Sequence, residues 1–146
     1  MNKKPEIGVG VMLLKNNEIL LGKRNTDPKK ADSELHGEGT WTMPGGKLHY
    51  KEELRDAAYR EVLEETGIKI DKNKLELICV SDDIVEDAHF VTIGFLSRDF
   101  SGEARVMEED IVEWKWFPIH SLPEPIFKPS QKIINSYLNG RRYSYL

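Results

Sequence analysis

Residues 45–68 read GGKLHYKEELRDAAYREVLEETGI, and the fold turns on what the second half of that stretch does. A helical period over residues 52–66, stopped by Gly67 at a C-cap position, is the strongest local signal in the chain. At about 100° per residue, Leu54, Ala57, Ala58 and Val62 gather on one arc, which predicts the buried face. Glu61, Glu64 and Glu65 fall on that same side, while Glu53, Arg55, Asp56 and Tyr59 lie mostly opposite. Like charges three and four residues apart repel, and partial burial adds a larger desolvation cost. A hard divalent cation would remove both costs, because such ions take carboxylate oxygens, waters and phosphates as ligands. The plain alternative, glutamates at a helix end pointing into water, has less to say about Gly45 and Gly46 just upstream. Glycine there permits close backbone approach to an anion, or a carbonyl turned toward a metal.

Outward from this helix, the rest of the chain predicts strands. Apolar runs at residues 7–14 and 18–24 flank KNN, whose Asn16 and Asn17 suit a tight hairpin turn. The polar stretch NTDPKKADSELHGEGT predicts a long surface loop, and WTMPGGKL a short strand broken at residues 44–46. Strand-like runs recur at 75–80, 89–97 and 111–117, with the charged SGEARVMEED as a loop before the last. A closing helix over residues 129–138 carries Ile133, Ile134, Tyr137 and Leu138 at helical spacing. Strands interleaved with two helices predict an α/β or α+β sandwich.

Totals narrow the function classes. The 146 residues suit one domain, 1–146, with one site. The longest apolar runs are strand-sized, far short of the roughly 20 residues of a membrane span, and no cleavage site follows the basic start. The expectation is therefore a cytoplasmic protein without a membrane partner. The one cysteine, Cys79, excludes an internal disulfide or a cysteine-based zinc site and is expected to be a buried bystander. A net charge of −4 argues against a nucleic-acid polymer, since backbone binders need a basic surface. A small polyanion bridged by a divalent metal remains compatible.

Residues 46–68 resemble the Nudix box, Gly-x5-Glu-x7-Arg-Glu-U-x-Glu-Glu-x-Gly-U with U a bulky aliphatic. Gly46, Glu52, Arg60, Glu61, Val62, Glu64, Glu65, Gly67 and Ile68 fill every specified place. GVGVMLLKNNEILLGKR, GTWTMPGG and VEWKWFPIHSLPEPIF look like the flanking elements of MutT-like members, so the likeness covers most of the chain. It implies an α/β/α sandwich with a mixed sheet, and an enzyme that uses Mg²⁺ or Mn²⁺ to hydrolyse a nucleoside diphosphate linked to another moiety. Carried over by position, Glu61, Glu64, Glu65 and the Gly46 carbonyl would bind metal, Arg60 would orient Glu61, and Glu52 would stand just behind. In some members a glutamate of the loop before EWKW completes the metal site. Glu108 and Glu109 offer it here, and Glu109 is taken as the ligand. His49 and Lys51 depart from the commoner GGxxExGE form at its acidic and glycine places.

Specificity lies outside the box. LICVSDDIVEDAHF carries neither the proline of some ADP-ribose hydrolases nor the tyrosine of diadenosine polyphosphate hydrolases. The C-terminal EWKWFPIHSLPEPIF most resembles nucleoside triphosphate diphosphatases, which release a monophosphate and pyrophosphate. Phe127 is a candidate for stacking on a base and Lys23 or Arg24 for phosphate contacts, against core packing and a solvated strand end. Trp41, Trp114 and Trp116 are expected to pack. The alternatives are an ADP-ribose or nucleotide-sugar pyrophosphatase, and a non-catalytic nucleotide-sensing module, against which the retained box carboxylates count. Similar proteins often form homodimers, and no feature of this sequence decides that point.

Overall fold

A computed structural model describes residues 3–31 and 35–144. Strands β1 (Glu6–Lys15) and β2 (Glu18–Arg24) are joined through Asn16 and Asn17 at φ 53° and 62°. This left-handed pair is what a two-residue hairpin turn demands, and asparagine tolerates it. The hairpin pairs only at Leu14–Ile19 and Lys15–Glu18 before its arms part. Into the opening fit β3 (Trp41–Thr42), which pairs β2, and β4 (Gly45–Lys47), which pairs β1. The chain break therefore falls at Met43 and Pro44, and Gly45 and Gly46 are strand residues rather than the predicted interruption. The Val11 N–H donates to the Pro44 carbonyl across the join.

The other edge of β1 runs parallel to β7 (Ala88–Ser97). Beyond it lie antiparallel β6 (Glu76–Val85) and the short β10 (Tyr143–Ser144), while β9 (Ile111–Pro118) covers β2. β6 is longer than the predicted 75–80, because its polar half, Ser81 to Asp83, is held by β7 through residue-for-residue pairing. Two further strands, β5 (Lys69–Ile70) and β8 (Phe100–Ser101), form a separate ribbon. The expected long loop after β2 contains a short helix, α1 (Pro28–Ala31), capped by Asp27 Oδ1 accepting the Lys29 N–H, with Ala31 buried.

Helices α2 (Leu54–Thr66) and α3 (Lys128–Asn139) cover opposite faces of the mixed sheet, giving the α/β/α sandwich. Alternation along β1 shows why: Val9, Val11 and Leu13 pack toward α2, whereas Met12 and Leu14 pack toward α3. A strand buried on both faces reads as a continuous apolar run, as β1 does. Ala57, Ala58 and Val62 seat α2, and Gly67 ends it at φ 80°, its N–H donating to Leu63 O. Leu54, expected on the buried arc, lies at the first turn beyond the sheet and is exposed, while Tyr59 is half-buried against the core. On α3, Ile133 and Ile134 are buried and Tyr137 packs at the margin, but Leu138 faces outward. Cys79 is buried beneath α3, as expected of a bystander. No helix among the described residues is long and apolar enough to cross a membrane.

Candidate active site

The splayed hairpin brings β4 against the flank of α2, and two consecutive glycines make the contact. A Cβ on Gly45 would lie 2.1 Å from the Val9 carbonyl oxygen, so β1 and β4 could not approach as they do. A Cβ on Gly46 would meet the Glu61 carboxyl at 2.5–2.6 Å. One turn on, Glu65 Oε2 accepts the Gly45 N–H at 2.9 Å. The i,i+4 spacing thus sets two carboxylates of α2 along the backbone of β4.

Arg60 organises the other side. Its Nε and Nη2 donate to the two oxygens of Glu52 at 2.8 and 3.0 Å, a two-pronged clamp. Nη1 reaches Glu61 Oε1 at 2.7 Å and, more distantly, Glu64 Oε2 at 3.4 Å, and Nη2 also donates to the Lys47 carbonyl at 3.0 Å. The guanidinium holds the Glu52 carboxyl down to about 2, and that carboxylate raises Arg60 further above its already high range. Glu61 is pushed up by burial in spite of Arg60. Glu65 is pushed up well above the ordinary value, first by burial, against the Gly45 N–H, with Glu61, Asp110 and Glu108 adding repulsion. Burial, then Asp110 and Glu64, raise Glu108 in the same direction.

The three box glutamates are not equivalent. Glu61 is 12% exposed and Glu64 is 50% exposed, so the predicted common placement on the apolar side holds for Glu61 and Glu65 and fails for Glu64. Its position at the edge of the arc puts the side chain in solvent beside Arg60. In the loop before β9, the exposed Glu109 has its carbonyl tied to Asn25 Nδ2 at 3.0 Å. It is Glu108 whose charge acts on Glu61, Glu64 and Glu65, and Asp110 that lines the cleft. Among the described residues no three acidic, histidine or cysteine side chains meet at metal-ligand spacing.

Gly45, Gly46, Glu61, Glu65 and Asp110 line a cleft of about 420 Å³. Arg24 and Phe127 line the same cleft, the guanidinium carbon lying 4.8 Å from the ring centroid. Arg24 is buried and donates through Nη2 to Ala31 O at 2.5 Å. Lys23 is not in the cleft; its Nζ lies over the Trp41 ring, and a shift in strand register separates it from Arg24. Ser130 at the start of α3 receives the Met43 N–H at 2.9 Å and stands 3.2 Å from the Thr42 hydroxyl, which fixes α3 to the splayed strands. The tryptophans pack: Trp41 edge-on to Phe117, Trp116 stacked with Phe100, and Trp114 donating to Glu65 O. Asp110, Ser130 and His49 line the cleft without having been expected there. For His49 the available signal was its place between the glycine pair and the acidic helix.

The NUDIX domain family matches residues 4–137. An ADP-ribose pyrophosphatase of Methanocaldococcus jannaschii is 31% identical over 94% of this chain and 75% of its own. An 8-oxo-dGTP diphosphatase of Proteus vulgaris is 35% identical over 69% of this chain and 82% of its own. A MutT NUDIX hydrolase from Burkholderia pseudomallei has the same fold, with a TM-score of 0.80 and 32% identity, covering 92% of this chain and 98% of that one.

Proposed function

The chain belongs to the NUDIX domain family and is a Nudix hydrolase, and from that premise we propose that it cleaves a nucleoside triphosphate, canonical or oxidised, to the monophosphate and pyrophosphate. The observation that carries this reading is the meeting of Glu61 and Glu65 with the bare backbone of Gly45 and Gly46 in a cleft that Arg24 and Phe127 also line. The donor chemistry suits Mg²⁺ or Mn²⁺: desolvated carboxylates that raise one another, beside a backbone edge that a Cβ would close. Glu61, Glu64, Glu65 and the Gly46 carbonyl would hold the ion, with Glu108 in the place expected of Glu109. Such an ion neutralises charge on the phosphates and makes a water nucleophilic at neutral pH.

The chain's own residues supply the rest. Arg60, fixed by Glu52, holds Glu61 to its rotamer. A carboxylate of this cluster, one of the box glutamates or an acidic loop residue, would take the proton of the attacking water. The nucleoside lies toward Arg24 and Phe127 and the phosphate chain toward α2. A second reading, cleavage of ADP-ribose to AMP and ribose phosphate, is favoured by the archaeal relative, whose match spans 94% of the chain. Chromatographic product analysis with Mg²⁺ across triphosphates, oxidised dGTP and ADP-ribose tests both. Monophosphate plus pyrophosphate is expected from triphosphates and no turnover after chelation; cleavage of ADP-ribose alone would replace the first reading by the second. Nucleotide binding without any cleavage would revive a sensing role.

A further inference from the structure

We propose that His49 is a substrate-binding residue that contacts the terminal phosphate of a triphosphate, making the acidic end of the cleft selective for triphosphates over diphosphates. The inference rests on the triphosphatase reading above and adds a residue to it. His49 lines the cleft beside Gly46 and Glu61, in the turn between β4 and α2. Among the described residues its imidazole makes no hydrogen bond or ion pair; the bonds made at this residue are to its backbone. The His49 N–H donates to Glu52 Oε1 at 3.0 Å, and the Glu52 N–H returns to the His49 carbonyl at 3.1 Å. Glu52 is in turn clamped by the guanidinium that holds Glu61.

The base of the imidazole is therefore held relative to Glu61 through His49, Glu52, Arg60 and Glu61, while the ring, whose charge acts on Glu52, makes no hydrogen bond among the described residues. Lys51 takes φ 64° to close this turn, a conformation that costs a non-glycine residue and that persists where the surroundings impose it. The competing cations nearby have other work. Lys47 Nζ sits 3.0 Å from Glu6 Oε2 and lies over the Phe90 ring, and Arg60 is spent on carboxylates. Arg24 lies over the Phe127 ring and donates to the Ala31 carbonyl. A phosphate chain running from Arg24 toward α2 ends near carboxylates that repel it, and a ring N–H at that end supplies a hydrogen-bond donor where a carboxylate would add repulsion.

Titration calorimetry with non-hydrolysable nucleoside triphosphate and diphosphate analogues, in Mg²⁺, tests the proposal on wild type, H49A and H49K. His49 is exposed, so the variants keep the fold, which circular dichroism checks. H49A is expected to weaken triphosphate binding ~10-fold, the loss of one charge-assisted hydrogen bond, and to leave diphosphate binding unchanged; H49K restores most of it. The His49 ring resonances, assigned by their absence in H49A, shift with the triphosphate and stay fixed with the diphosphate. Equal triphosphate binding by H49A and wild type, with wild type still cleaving triphosphates, overturns the role of His49 and leaves the proposed activity standing. Wild type that cleaves only ADP-ribose overturns both.

Discussion

Helices α2 and α3 flank the same sheet, and each buries charge against it in a different way. Under α3, Lys132 Nζ meets Asp83 Oδ1 at 2.9 Å and also donates to the Asp82 carbonyl, with side chains 11% and 5% exposed. Opposite charges there compensate each other inside one interface, a structural arrangement. Along α2, Glu61 and Glu65 are half-buried with the same sign, near Glu108 and Asp110, and the guanidinium that reaches Glu61, that of Arg60, is shared with Glu52. Evolution of a stable fold alone gives no reason to gather these carboxylates. Buried charge that is paired holds elements together, whereas the like charges along α2 are the feature on which the proposed metal site rests.

The sharpest way to break this contrast is to remove charge from each side. Glu65→Gln keeps an acceptor for the Gly45 N–H and is expected to lower turnover ~10³-fold or more without loss of thermal stability. Activity within tenfold of wild type in the folded variant would sink the assignment of α2. The glycine pair divides the same way. Gly46→Ala drives a Cβ into the Glu61 carboxyl, the far end of a flexible side chain, so the fold survives and kcat falls ~10²-fold. Gly45→Ala drives one into the Val9 backbone and costs stability instead, about 1–3 kcal/mol by denaturant unfolding. If the two alanine variants behave alike, the division between a structural and a functional glycine is wrong.

Lys132→Met leaves Asp83 buried and unpaired, and about 3 kcal/mol of stability should be lost. Adding Asp83→Leu should recover most of that loss, which no removal of an α2 carboxylate would need. The smallest effect is in pH dependence, where the two kinds of carboxylate on α2 and its approach have opposite signs. Glu52, held down to about 2 from 4.5, stabilises the fold above pH 4.5, and that stability is lost as pH falls through about 2. Glu61 and Glu65, raised by burial, cost stability as pH rises from 4.5 through their folded values. Without divalent ions, melting temperature should therefore decline as pH rises above 4.5, and less steeply in Glu65→Gln; an identical slope in that variant would remove Glu65 as the cause.

Some of this was open to a reader of the sequence. The half-buried placement of Glu61 and Glu65 follows from the phase of Ala57, Ala58 and Val62 on the helix, because helical period is local. Glu64 was harder: its angle lies at the edge of the arc, and only the packed helix shows on which side of the edge it stands. Glu108, Glu109 and Asp110 are consecutive residues in a loop with no period to read, and the tie from Asn25 to the Glu109 carbonyl spans 84 positions. The polar half of β6 was missed for a similar reason, since Ser81 and Asp83 belong to a strand only through β7 and α3.

By itself, then, the sequence determined the two-sided strand β1, the Asn16–Asn17 hairpin, the helix from Leu54 to its Gly67 stop, and the carboxylates that this helix carries. Each is a matter of period or of a residue's own backbone preference, resolved within a few neighbours. Tertiary structure decided that the hairpin opens to admit Gly45 and Gly46, that Arg24 rather than Lys23 reaches the cleft, that the charge of Glu108 acts on the carboxylates of α2, and that His49 lines the same cleft. Those outcomes depend on strand pairing and side-chain contact between segments far apart in the chain, where no local preference discriminates and only the balance of burial, hydrogen bonding and charge selects one arrangement.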